Sequence, residues 1–327
     1  MSLEYAGALV AAVFFAAAPL ILAALGETVS ERGGMINLSL DGTVLFAAMA
    51  AFAVARGSGD PWLGLAAGAA AGACVALVLA VFGLFLGASE LAVGFVLTLF
   101  CRELAYFMGH SVARQPGPDL GSLAVPVLSD IPLFGKALFG QSPVALISLA
   151  VLGGVWWFLA RTRAGLTLRA VGESPRAAAS RGVAVRKVQL LCCLAGGALA
   201  GCAGGLYSLS VKPGWGHPQG CEGAGWIALA IVIFGGWKPV RVALGALFFA
   251  AIQVAGIALQ DALPGLSGAL FQIAPFPVMI ATLLVVNLRR STAFREAARR
   301  VPLLGRLMPR TAGGAPGAIA GALDKGF

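Results

Sequence analysis

Charge is scarce in this sequence. Only 11% of its 327 residues are Asp, Glu, Lys or Arg, whereas soluble domains carry about 25%. Histidine occurs twice, as His110 and His217, too far apart in the chain to suggest a metal pair. The six cysteines (Cys74, Cys101, Cys192, Cys193, Cys202 and Cys221) show no CxxC spacing. Five of them fall in apolar runs, where a thiol is expected to pack as a small buried hydrophobe. There is no GxxxxGKS/T phosphate loop, no HExxH and no GxSxG, so neither ATP chemistry nor a familiar intramembrane hydrolase is expected of this chain. The first 25 residues have no basic stretch, and Glu4 is their only charge. The first apolar run is therefore expected to be a retained span rather than a signal peptide.

Apolar residues dominate what is present, at 59% of the chain, with a mean hydropathy of +0.90. A membrane span needs about 20 such residues. Candidate spans lie at 5–25, 34–55, 62–86, 88–109, 143–160, 188–210, 221–236, 240–260 and 264–288. The fold class expected is all-α, a polytopic bundle of about nine transmembrane helices, between eight and ten.

The few charges are arranged in blocks. Residues 161–187 carry seven basic residues (Arg161, Arg163, Arg169, Arg176, Arg181, Arg186, Lys187) against the single acid Glu173. Residues 287–310 carry seven arginines against Glu296, and the remainder of the chain is net acidic. Loops rich in Lys and Arg stay on the cytoplasmic side, so both blocks, and with them the C-terminus, are expected there. The basicity is topological and calls for no nucleic acid. Counting back from the first block puts the N-terminus outside, and residues 110–142 form an external cap. Within the first block, Ser174 can cap a short helix, Pro175 fits its first position, and Gly182 can end it. A capped helix on a cytoplasmic loop is a shape another protein can grip.

The segment from Glu31 to Leu40 (ERGGMINLSL) has an echo from Glu222 to Ile231 (EGAGWIALAI), offset by 191 residues with four identities. By the span count the two copies enter from opposite sides. Interrupted helices at matching positions of an inverted repeat frame solute sites near the midplane. The expected layout is a single transmembrane domain over 1–290, with repeat 1 at about 27–160, the basic loop at 161–187 and repeat 2 at about 188–290, followed by a tail over 291–327. The tail turns from Arg-rich to Gly/Ala-rich. A basic amphipathic helix is expected at 293–307, and disorder beyond Pro309.

Polar groups inside apolar runs are the candidate pathway residues, because a mid-span charge costs about 2.5–3.5 kcal/mol on insertion scales. Asn37, Ser39 and Asp41 stand in the first echo segment; Asp41 either lines a cavity or pairs with Arg32 as an anchor. Glu90, Arg102 and Glu103 belong to the fourth span. Gln253 and Gln260, seven apart, share one face of the eighth as glue between helices or as cavity lining. Trp226 either stacks on a ligand ring or packs.

Four ordered segments, GETVSERGGMINLSLDGT, SDIPLFGKALFGQSP, GLTLRAVGESPRAAASRGVAVRK and GWIALAIVIFGGWKP, make the chain similar to permease subunits of bacterial ATP-binding-cassette importers. The likeness spans about residues 26–290. It is strongest to the branch that handles nucleosides and simple sugars, beside the branched-chain amino-acid permeases, and within it to the shorter permease of heterodimeric nucleoside importers. The resemblance implies a multi-pass protein of the bacterial inner membrane and several partners: cytoplasmic ATPase subunits that hold the ATP and Mg, a second permease, and an extracytoplasmic substrate-binding lipoprotein. It makes Arg169, Gly172, Glu173, Ser174, Pro175, Ala178 and Gly182 part of the coupling helix that docks in the ATPase, while this chain binds no cofactor. The chain departs from the pattern at Asp41 (usually Glu), Glu90 (usually Gln), Arg102-Glu103 (usually uncharged) and Phe276 (usually Tyr). An ion-coupled secondary transporter is the rival reading, since buried acids and inverted repeats suit it equally.

Overall fold

The computed structural model describes residues 3–121 and 143–262, the isolated positions 277, 280, 281 and 284, and the turn 316–319. Helices account for the regular structure of these residues: α1 (Leu3–Arg32), α2 (Leu40–Ser58), α3 (Pro61–Ala80), α4 (Glu90–Gly109), α5 (Pro143–Arg161), α6 (Arg163–Glu173), α7 (Pro175–Ser180), α8 (Val185–Leu206), α9 (Ala224–Gly235) and α10 (Pro239–Ala262). Single π-helical turns at Val81–Phe85 and Tyr207–Val211 extend α3 and α8.

Seven of the described helices are long and apolar enough to cross a membrane: Gly7–Arg32, Leu40–Ser58, Pro61–Phe85, Glu90–Val112, Pro143–Arg161, Val185–Val211 and Pro239–Ala258. Two expected spans account for the difference from nine. The segment 221–236 yields only α9, whose 12 residues extend about 18 Å at 1.5 Å per residue, short of a hydrocarbon core of about 30 Å. The segment 264–288, the basic block 287–310, Phe276 and the 293–307 helix lie outside the described residues, apart from four isolated positions. The first boundary also moves. α1 runs on to Arg32 rather than stopping near residue 25, which takes Glu27 and Glu31 into the helix.

Caps explain most of the starts and stops. The Asp60 side chain accepts from Trp62 N at 2.9 Å with Pro61 in the first position, and Ser89 accepts from Ala92 N at 3.4 Å. Gly59, with φ 74°, ends α2. α3 and α8 approach each other closely. A Cβ on Gly72 or Gly197 would overlap the backbone of the other helix. Small residues permit such contact where no hydrophobic force drives helices together in lipid. The main core fully buries Leu20, Leu25, Phe52, Leu206, Ile231 and Phe249.

The basic block 161–187 folds into two helices rather than one. Thr162 caps α6 by accepting from Gly165 N at 2.9 Å, and α6 buries Gly165, Leu168, Val171 and Gly172. A single residue, Ser174, separates it from α7 and caps α7 through Ala177 N at 3.4 Å, with Pro175 in the first position as the sequence indicated. Gly182, at φ 80°, ends the unit while Val183 N returns to Ala178 O at 3.2 Å.

Candidate functional site

The chain between α1 and α2, residues 33–39, is irregular and largely buried, so each of its backbone N–H and C=O groups needs a partner away from water. The neighbouring helices supply several of them. Asn37 N donates to Glu27 Oε1 at 2.9 Å and Ile36 N to Glu90 Oε2 at 3.0 Å; Leu38 O accepts from Thr98 Oγ1 at 2.7 Å. Gly94 and Gly42 let α4 lie against this segment, since a Cβ on Gly42 would overlap Thr98 O. Glu90 thus has a defined task, holding the break against the start of α4.

Within the break, Asn37 Oδ1 accepts from Ser39 N at 3.0 Å and from Ser39 Oγ, and Ser39 Oγ meets Thr43 Oγ1 at 3.2 Å. Asn37 is fully buried, and its Nδ2 has no acceptor among the described residues; the same holds for Glu27 Oε2 as an acceptor without a donor.

Asp41, in the first turn of α2, accepts from Gly225 N at 3.0 Å, the first turn of α9. A Cβ on Gly225 would overlap the Asp41 backbone, so the two helix starts touch directly. From this junction α2 runs towards Arg56, whose Nη1 donates to Pro116 O at 3.1 Å. α9 runs the other way, to Trp237, whose indole N–H donates to Glu31 and whose carbonyl accepts from Arg32 Nε at 3.1 Å. Two short-ended helices therefore start back to back at one carboxylate and diverge. The positive ends of both helix dipoles thus lie at Asp41. Asp41 does not pair with Arg32; the anchor alternative is not what the chain adopts.

The echo segments of the sequence do meet here, though they do not fold alike. Gly34 lies in the irregular break at φ 85°, whereas its counterpart Gly225 is helical.

Beyond the junction, towards the Pro116 end, a polar cluster precedes α9. The Tyr106 hydroxyl donates to Glu222, which also accepts from Gln219 N at 2.7 Å and Gly220 N. Burial raises the Glu222 carboxyl, but these donations outweigh it and hold the group below the ordinary carboxylate range. The Tyr106 ring packs on His217 with centroids 4.0 Å apart and on Trp215 at 5.8 Å. An open pocket of about 550 Å³ lies beside it, lined in part by Arg114, Lys212, Trp215 and His217.

At the opposite end, α6 sits against the break. Gly172 packs on Arg32 O and next to Gly34; a side chain there would not fit. Arg169 is half-buried with Nε unpartnered among the described residues, Ala178 is buried, and Glu173, Ser174, Arg176, Ala177 and Ala179 are exposed. Gly317 N donates to Glu173 Oε2 at 3.2 Å, so residues 316–319 of the tail are an ordered turn on α6, where disorder was expected.

Of the pathway residues expected from sequence, the structure brings together Asn37, Ser39, Asp41 and Glu90. Trp226 is half-buried and packs against the main core. Gln253 is half-buried on α10, and no hydrogen bond joins it to the cluster. Sequence reasoning missed Glu27, Glu31, Thr98, Tyr106, Glu222 and Trp237. The spacing of Glu27 and Glu31, four apart and so on one helix face, was the available signal, and it disappears if the first span is ended at residue 25. Cys74 is exposed, unlike the buried Cys101, Cys192, Cys193 and Cys221.

The chain is 35% identical over 263 residues to TsgC13 of Haloferax volcanii, an ABC transporter permease protein provisionally assigned to glucose, covering 79% of this chain and 80% of that one. It is 33% identical to the guanosine ABC transporter permease NupQ of Bacillus subtilis (75% and 80% covered) and 31% identical to the nucleoside ABC transporter permease NupC of Lactococcus lactis (84% and 90%). A second permease from each of these two bacteria, NupP and NupB, also matches, at 24% identity. No solved structure matches the chain significantly. The model of the family described as the branched-chain amino acid transport system permease component matches residues 9–283, and the chain belongs to that family.

Proposed function

We propose that this chain is the transmembrane permease subunit of an ATP-driven importer for nucleosides or related sugar-like solutes, and that it works by alternating access. The names of its relatives carry the solute class: guanosine, nucleoside and glucose permeases share about a third of its residues over most of its length. The basic face 161–187 is cytoplasmic by the charge rule, and α6–α7 docks in a groove of a separate ATPase, which holds the ATP and Mg. A second, different permease completes the pore, and an external binding protein delivers the solute.

The observation that carries this reading is the packing of Gly172 on Arg32 and Gly34. Movement of the exposed α6–α7 pair passes through that contact into the irregular segment 33–39, and so to Asn37, Ser39 and Asp41. In the present conformation these groups are closed off: Asn37 is 0% and Asp41 8% exposed. Separation of α2 from α9 would free the Asp41 carboxylate and the unpartnered Asn37 amide to bind hydroxyl or base N–H groups. Trp226, at the start of α9, would supply a flat face.

The test is uptake of labelled nucleosides into proteoliposomes holding the permease pair, with and without the ATPase, ATP and binding protein. Accumulation that requires ATP and the ATPase is expected. Accumulation by this chain alone, abolished by collapsing the proton gradient, would establish the secondary-transporter reading instead.

A further inference from the structure

α4 belongs to the least buried of the seven apolar spans, with only 22% of its window covered by the rest of the chain. Near the middle of that span stand two charges, Arg102 and Glu103, both exposed and neither with a hydrogen bond or ion pair to a described residue. Adjacent helical residues point about 100° apart, so the two serve different sides. Arg102 shares its side with Tyr106, one turn on. That side faces the polar cluster. Glu103 points away from it, among Val96, Leu99, Phe100 and Phe107, which are 63%, 50%, 59% and 81% exposed.

Lipid can cover the aliphatic and aromatic residues of this face but not the carboxylate. An unpaired charge at mid-span costs about 2.5–3.5 kcal/mol on insertion scales, and such residues face a protein or a water-filled path. Lipid-facing helices elsewhere in the chain show no comparable need: the exposed faces of α3 and α5 present Leu77, Val78, Trp156 and Trp157 without a mid-span acid.

We propose that the second permease, a different chain of the same family, seats on this face of α4 and presents a Lys or Arg side chain to Glu103 at mid-membrane depth. The charge complement identifies the occupant as protein, and the occurrence of two matching permeases in each of two relatives' organisms favours a different chain over a second copy. The inference rests on the permease-pair reading above and adds the surface and the charge that join the pair. Arg102, at the edge of the same face, then lies where the seam meets Asp41, Tyr106 and Glu222.

The experiment places the photo-crosslinking residue p-benzoylphenylalanine at Phe107, and separately at Trp157 on α5, in the full complex isolated from host membranes through a tag on this chain. The adduct from position 107 is expected to be the second permease, identified by mass. Glu103→Lys should lower its yield about tenfold, Glu103→Gln by less, and reversal of the partner's cation should restore the Glu103→Lys complex. Adducts at 107 to lipid alone, or to a copy of this chain alone, overturn the proposal. So does a second permease that co-purifies but is captured only from Trp157, an outcome that leaves the pair itself standing. If no second permease co-purifies at all, the underlying pair reading fails first.

Discussion

The Gly225 amide donates to the Asp41 carboxylate across 184 residues of chain at 3.0 Å, and the two residues open helices that run in opposite directions. A buried hydrogen bond to a charged group contributes about 1.5–3 kcal/mol, enough to hold the junction shut yet weak enough for a conformational cycle to break. Asp41→Asn keeps an acceptor oxygen and loses the charge. It is expected to leave the protein folded and to cut transport by about tenfold, a loss of 1.4 kcal/mol at the limiting step. Gly225→Ala forces a methyl into the Asp41 backbone and should destabilise the protein by about 1–3 kcal/mol. Thermal unfolding in detergent, set beside uptake in proteoliposomes, separates the two effects.

The Trp237 indole is the donor to Glu31, a buried carboxylate. Trp237→Phe preserves most of the ring volume and removes the N–H, so Glu31 loses its partner at a cost of about 1–3 kcal/mol. The expected result is a lower unfolding temperature. Glu31→Gln combined with Trp237→Phe should recover part of it, because the amide is less costly to leave buried than the carboxylate. A double-mutant cycle measures the coupling.

Coupling should be sensitive at Gly172 and on the exposed face of α6–α7. Gly172→Ala drives α6 away from Arg32 and Gly34 and should reduce transport while the ATPase still binds. Arg169→Glu and Glu173→Arg should uncouple ATP hydrolysis from uptake. Ser174→Ala removes the cap of α7 at about 1 kcal/mol and should weaken ATPase association. ATPase stimulation by loaded binding protein, together with co-purification of the ATPase, reads these effects apart. Uptake that survives disruption of 174–182 would remove the coupling role.

Glu222 sets a pH expectation. Its carboxyl is held below its ordinary 4.5 by donors that favour the charged form. A group depressed on folding stabilises the folded state above its unfolded value and loses that contribution as pH falls through the folded one. The Tyr106–Glu222–Gln219 clamp should therefore be intact at every pH above about 5 and loosen only in stronger acid. Tyr106→Phe removes one donor and should move the onset of acid destabilisation upwards. Thermal unfolding between pH 3 and 7 checks the direction.

Much of the architecture was legible in the residues because membrane insertion leaves a coarse signal. Runs of about 20 apolar residues marked the long helices, and Ser174, Pro175 and Gly182 marked α7 through the local chemistry of capping. The same signal misled where a hydrophobic run does not span. Residues 34–39 are apolar enough to extend a helix, yet the backbone breaks there because Glu27, Glu90 and Thr98 offer the partners an interrupted chain requires. α6 was hidden in a hydrophilic stretch, because its helicity depends on burying Leu168 and Val171 against the bundle rather than on a continuous apolar run.

From its residues alone the chain declared itself a polytopic membrane protein, with its basic loops and a capped element between spans. Hydropathy, charge and capping act over one to five turns and need no knowledge of neighbours. Which polar groups meet was decided only by the folded bundle. Asp41 with Gly225, Glu31 with Trp237 and Gly172 with Arg32 are pairs 184, 206 and 140 residues apart, and such contacts depend on how glycine-lined helices approach one another in three dimensions.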